Sequence, residues 1–277
     1  QTQAICLPEK VAAIYYGEAL KFVERMYSYR HDISDSYSVF LNEYKRLYEK
    51  KVYSCNFSIR HHAMKKIQTD FHGLDISFDY GGIWLSRLRG ACYMVIAAFT
   101  GCRDGEVKSF NIDSYQEKQY SGFTVSTLNG KHTKPNIGGV ERPTSWVTIP
   151  SVKKAIELLW DAFKFIRDEW KVRANDIKHI DEKNNFLRDA NSLFLTIPSK
   201  CRSNPKAGKQ AISDSLKSFI KSINYRVTLD DVKEFNLLNP TRYEELKVGE
   251  VLRVHPHCFR RTFAVYIVRN KLASLLD

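Results

Sequence analysis

Residues 83–99 constrain this chain more than any other stretch. Trp84, Leu88, Ala91, Val95 and Phe99 recur every three or four positions, which is helical spacing. From Ala91 to Phe99 (ACYMVIAAF) apolar residues occupy every side, so a helix here must be surrounded rather than laid on a surface. The run falls well short of the roughly 18 uninterrupted apolar residues of a membrane helix, so it reads as the buried centre of a globular core. A chain of 277 residues, 43% apolar and 27% charged, can build such a core as one large domain.

Other helices are expected around it. Residues 8–30 place Val11, Ile14, Tyr15, Leu20, Val23 and Met26 at near-helical intervals behind Pro8, a residue suited to a first turn. Further helices are predicted over 36–51 and 57–70. Another starts at Ser151, with Val152, Ile156, Leu159, Phe163, Ile166 and Trp170 on one stripe. The period changes in the middle, where Phe123, Val125 and Thr127, then Trp146 and Thr148, alternate with their neighbours. The Gly/Pro/Asn-rich stretch between them predicts two antiparallel strands joined by a long basic turn. Residues 175–210 are polar and interrupted, with one strand-like piece at Leu193 to Ile197. Helices follow over Ile212 to Ile223 and behind Thr228, whose partner Asp231 lies three residues on, as in a capping box. Residues 236–254 read as loop, and a last helix begins near Pro256. The fold class is therefore mainly α with a small antiparallel β-sheet (α+β).

Lys and Arg number 43 against 31 Asp and Glu, a formal charge of +12. That surplus favours a polyanionic partner, because neutralising phosphates releases condensed counterions, although simple solubility is the plain alternative. The opening QTQAICLPEK has no basic region followed by an apolar block, so no signal peptide is expected. Six scattered cysteines without a C-x-x-C pair imply buried thiols in a reducing compartment. Cys55, His61, His62 and His72 form the one metal-like cluster, and it reads as a solvated basic face because adjacent histidines rarely share a metal.

Two motifs carry chemistry. Thr100-Gly101-Cys102-Arg103-Asp104-Gly105-Glu106-Val107 follows the buried helix, and His257-Cys258-Phe259-Arg260-Arg261-Thr262-Phe263-Ala264 opens the last one. Arg103 with Glu106, and His257 with Arg260, share a face if the backbone is helical. Gly101 permits a tight turn that lets Arg103 project. Taken singly, each has a plain alternative: a surface ion pair, a helix cap, or a solvated turn for the lysines between the motifs.

In this order, T-G-x-R-x-x-E-V and H-x-x-R-R-T-F-A resemble the two arginine boxes of the tyrosine recombinase (phage integrase) family. The basic hairpin between them fits that family, and the likeness spans most of residues 83–277. It implies the tyrosine-recombinase catalytic-domain fold, with 1–80 a helical lead-in carrying a possible insertion and 81–277 the core. The 157 positions from Arg103 to Arg260 are long for the pattern, which implies an insertion within 175–255. The implied activity is DNA cutting and rejoining through a 3′-phosphotyrosyl bond, by an integrase of a mobile element acting on double-stranded DNA at the bacterial nucleoid. A tetramer on DNA is implied for the full-length protein, and a monomer for this chain.

The resemblance also assigns roles. Arg103 and Arg260 would clamp the non-bridging phosphate oxygens, since guanidiniums stay charged and bind in a fork. His257 would hydrogen-bond the phosphate and help move the nucleophile's proton. Glu106 would orient Arg103 or the catalytic lysine. That lysine, Lys134 in preference to Lys131, would protonate the departing 5′ oxygen. No metal and no cofactor are expected. Only 17 residues follow Arg260, so the chain is expected to stop short of the attacking tyrosine. Tyr266 is rejected as a substitute, because six helical positions turn it about 240° from the Arg260 face. A catalytically inactive DNA-binding relative and a type IB topoisomerase-like enzyme are the competing expectations.

Overall fold

A computed structural model describes residues 3–131, 143–197 and 203–270. In chain order these form α1 (Glu9–Tyr27), α2 (Arg30–Glu49), α3 (Asn56–Met64), α4 (Ile83–Ala98), the single turn α5 (Asp104–Val107), and β1 (Tyr115–Tyr120), β2 (Phe123–Lys131) and β3 (Pro143–Thr148). Then follow α6 (Ser151–Ala162), α7 (Lys164–Arg173), α8 (Ile180–Ala190), α9 (Lys209–Ile223), α10 (Leu229–Leu238) and α11 (Pro256–Arg269). The architecture is mainly helical with one small antiparallel sheet, the expected α+β class. Among the described residues no helix is long and apolar enough to cross a membrane.

The centre is α4, buried without a break from Leu88 to Ala98. It is covered by α1, α6, α9 and α11, as its all-round apolar sequence requires. The tightest crossing is with α9, where a β-carbon on Gly90 would collide with the Ser215 carbonyl oxygen. Arg89, beside Gly90 and only 4% exposed, secures the same crossing. Its guanidinium donates to Ser215 Oγ at 2.8 Å, to the Leu195 carbonyl at 2.6 Å and to the Ala211 carbonyl at 3.3 Å. A buried cation is tolerated here because its donors meet acceptors. One continuous apolar cluster runs from Ile5 to Phe259, so α1 and α2 share their core with the elements after residue 81.

Several expectations need correction. The sheet has three strands in the order β1-β2-β3, and β1 was not foreseen. Its sequence, YQEKQY, is exposed along almost its whole length and carries no apolar alternation. The stripe from Val152 to Trp170 is real, but it is divided between α6 and α7 at the buried Phe163 (φ −96°, ψ 11°). The break hid because the stripe keeps its burial across it. Helix α8 lies within the stretch read as interrupted; Ala190 is its one fully buried residue, so its sequence shows little of a core-facing stripe. Helix α2 begins at Arg30, six residues before its expected start, and α3 ends at Met64. The expected helix over Ile212 to Ile223 is present as α9 and packs on α4.

Helix α10 is capped as its sequence predicts. Thr228 Oγ1 accepts from the Asp231 backbone N–H at 3.4 Å, and Asp231 Oδ2 accepts from the Thr228 N–H at 2.7 Å. Tyr225 also donates its hydroxyl to Asp231 Oδ2 at 2.6 Å. Burial works to raise the Asp231 pKa, but the donors of Thr228 and Tyr225 outweigh it and hold the carboxyl below its ordinary value.

Two predictions follow from packing and capping. Gly90→Ala should cost about 1–3 kcal/mol in a denaturant titration, because backbone stands where the methyl group would go. Asp231→Asn should lower stability by about 1 kcal/mol at neutral pH. Because the folded-state pKa is depressed, that contribution is full above the ordinary carboxylate range and is lost as pH falls through it. The gap between parent and variant should therefore close in acid.

Candidate phosphate-binding site

The first motif is a turn shaped by its glycine. Gly101 sits at φ +63°, a conformation that side chains rarely adopt, and the Phe263 ring lies where its β-carbon would be. Thr100 Oγ1 donates to the Ile96 carbonyl at 2.8 Å, fixing the exit from α4. From the far side Thr148 Oγ1, at the end of β3, donates to the Phe99 carbonyl at 3.1 Å and ties the sheet to the same turn. Phe99 and Phe259 both pack against Tyr16, with ring centroids at 6.0 and 6.1 Å, forming an aromatic floor.

Arg103 is not inside a helix, as shared-face spacing assumed; it is the extended N-cap of α5 (φ −74°, ψ 153°). The pair with Glu106 forms by capping instead. Glu106 Oε2 accepts from the Arg103 backbone N–H at 2.7 Å, while Oε1 accepts from Arg103 Nη1 at 3.0 Å. The Glu106 side chain is 1% exposed and that of Arg103 28%, so a buried carboxylate holds a cation at the surface. Tyr93, deep in α4, donates to Asp104 Oδ1 at 2.9 Å, and Lys108 pairs with the other oxygen of Asp104 at 2.7 Å. Sequence reading missed this support, because Tyr93 in ACYMVIAAF looks like one more core residue.

The second motif meets the first. Pro256 and Cys258 are buried at the start of α11, while His257 and Arg260 lie exposed one turn apart. Arg260 Nη1 donates to the Gly101 carbonyl at 2.8 Å, two residues from Arg103 and across 159 positions of sequence. His257 makes no hydrogen bond to the described residues, so its ring nitrogens remain open to a ligand. Cys102, between the two arginine-bearing elements, has its thiol pushed up to about 12 by burial and is protonated near neutral pH.

Lys131 ends β2, exposed and in register with Pro143 on β3. Lys134 lies outside the described residues. Tyr266 donates its hydroxyl to the Leu7 carbonyl at 2.7 Å, and burial raises its pKa. It is a structural tether, committed to the N-terminal segment. In the cluster of Cys55, His61, His62 and His72, His62 stacks on Tyr53 at 4.3 Å with Nδ1 at the Ser58 carbonyl, and Cys55 contacts Ser58. Four cysteines (Cys6, Cys92, Cys102 and Cys258) are buried thiols, while Cys55 is exposed.

Comparison with family models, curated proteins and solved structures finds no match to this chain. The site therefore stands on its own geometry: Arg103 beside the Gly101 turn, held by a buried carboxylate, and Arg260 of α11, held by the carbonyl of that turn, with His257 one helical turn from Arg260. Such a surface suits an oxyanion with several oxygens.

Gly101→Ala should destabilise the protein by about 1–3 kcal/mol, combining left-handed strain with the Phe263 overlap. Adding Phe263→Ala should relieve the overlap but not the backbone strain. A double-variant cycle by thermal unfolding would expose that coupling, and additive losses would show that the ring does not press on the turn.

Proposed function

We propose that Arg103, His257 and Arg260 clamp a DNA phosphodiester, and that this chain is the phosphate-binding part of a tyrosine site-specific recombinase from a mobile element. The observation that carries the reading is the Arg260–Gly101 hydrogen bond. It joins two motifs far apart in sequence, in the order and residue types that the resemblance requires.

The chemistry follows from charge. When a tyrosine oxygen attacks phosphorus, a new O–P bond forms, the bond to the 5′ oxygen breaks, and negative charge grows on the non-bridging oxygens. Two fixed guanidiniums stabilise that charge at any working pH, and in a partly dry site such preorganisation lowers the barrier most. Glu106 holds Arg103 in place, so the cation is oriented before substrate arrives. His257 hydrogen-bonds the phosphate and assists removal of the tyrosine proton. A lysine of the hairpin, Lys134 or Lys131, returns a proton to the departing 5′ oxygen. The bond energy is kept in the phosphotyrosyl link, so rejoining needs no nucleotide. Tyr266, whose hydroxyl is committed to the Leu7 carbonyl, is not the nucleophile.

In the full-length protein, Arg103→Ala and Arg260→Ala should each slow formation of the covalent protein–DNA adduct about 10²–10³-fold, read on a denaturing gel. Adduct formation at the parental rate in both variants would refute the assignment. Replacing Lys131 and Lys134 one at a time identifies the acid: the true one should matter far less when the 5′ oxygen is exchanged for a better leaving group.

A further inference from the structure

The clamp opens into a groove of about 2420 Å³ between α9, α11 and the segment before α11. Its lining carries eight Lys or Arg against three Asp or Glu. Two of those acids are already engaged, Glu245 with Arg242 and Asp214 with Gln210. One wall is the segment 251–257, where burial alternates: Leu252, Val254 and Pro256 face the core, while Arg253, His255 and His257 are exposed. That is the pattern of extended chain, which sets outward side chains about 6.6 Å apart. The segment is held in place by Tyr15, which donates to the Leu252 carbonyl at 3.0 Å, and by Val227, whose N–H donates to the Glu250 carbonyl at 2.9 Å. The facing wall is α9, with Lys217 and Lys221 one turn apart and exposed.

We infer that this groove binds the sugar-phosphate backbone of duplex DNA flanking the clamped phosphodiester, with Arg253, Lys217 and Lys221 as sequence-independent phosphate contacts. The inference rests on the reading of the clamp as a DNA phosphate site. Three features support it. Arg260 and His257 line the groove as well as the clamp, so a strand held at one continues into the other. Arg253, Lys217 and Lys221 form no ion pair with any described residue, so their charge is available. The groove is far larger than the usual 300–1,000 Å³ of a small-molecule pocket. An acidic protein partner fits less well: none of the large apolar side chains exposed among the described residues lines the groove, so it offers no anchor for a protein hot spot.

The test is fluorescence anisotropy of the chain on a labelled duplex of mixed sequence across a salt series. Arg253→Ala, Lys217→Ala and Lys221→Ala should each weaken binding about three- to tenfold and reduce the slope of log affinity against log salt by about one. The loss should be the same on a second, unrelated duplex. Lys21→Ala, on the exposed face of α1, should change neither quantity, and unchanged thermal midpoints verify that the variants fold. If Arg103→Ala and Arg260→Ala weaken binding while the three groove variants keep the parental slope, the groove inference is overturned and the clamp stands. If neither set alters binding, or the chain binds no duplex, both fall. Displacement of an acidic polypeptide, but not of DNA, by the groove substitutions would make the groove a protein-docking surface and likewise overturn it.

Discussion

Everything at the candidate site depends on the turn at Gly101. It leaves α4 in a left-handed conformation, receives the Phe263 ring against its open side, and offers its carbonyl to Arg260. A side chain at this position would push α11 away, and without the carbonyl contact the second arginine would lose its fixed direction. The turn is held in turn by α4, whose apolar surface leaves it no freedom to shift within the core. The rigidity of a buried helix is thereby handed to two surface cations, which is how a site can be organised before any ligand is present.

The charged network around that turn divides its work by depth. Glu106 and Asp104 are buried or nearly so, and each faces a cation nearer to solvent. A carboxylate at such a depth is costly unless paired, and the pairing fixes the geometry. Arg260 instead uses a neutral carbonyl. Among the described residues no carboxylate pairs with Arg260, whereas the charge of Arg103 is partly offset by Glu106.

Much of this was legible in the sequence. The α+β class, the central helix, the Thr228 cap and the start of α11 at Pro256 all follow from periodicity or capping chemistry. What escaped has physical reasons. Strand β1 is exposed along nearly all its length, so nothing in its pattern records a core. The division at Phe163 left the buried stripe intact on both sides. The segment 251–257 reads as loop up to Val254, yet Leu252, Arg253, Val254 and His255 carry a period of two; four residues between Gly249 and Pro256 are too few for that period to stand out. At the site, the residue types were readable but the joining hydrogen bond was not. Spacing suggests helical pairs within each motif and is silent on contacts between motifs. The support from Tyr93 and Thr148 was hidden for the same reason.

The order of synthesis also governs when the site can form. Leu7 accepts the Tyr266 hydroxyl and donates its N–H to Thr262, Ala4 accepts from Arg261, and Cys6 is bracketed by the Asn239 side chain. These bonds join residues 233 to 259 positions apart. During synthesis residues 4–7 emerge long before their partners at the C-cap of α10 and on α11, and the Gly101 turn waits for Arg260 across 159 positions. Long-range closure of this type is slow and comes late. A ribosome-bound chain that has produced α4 and the sheet therefore carries Arg103 but no partner from α11, and the paired cations come into being only after α11 is made.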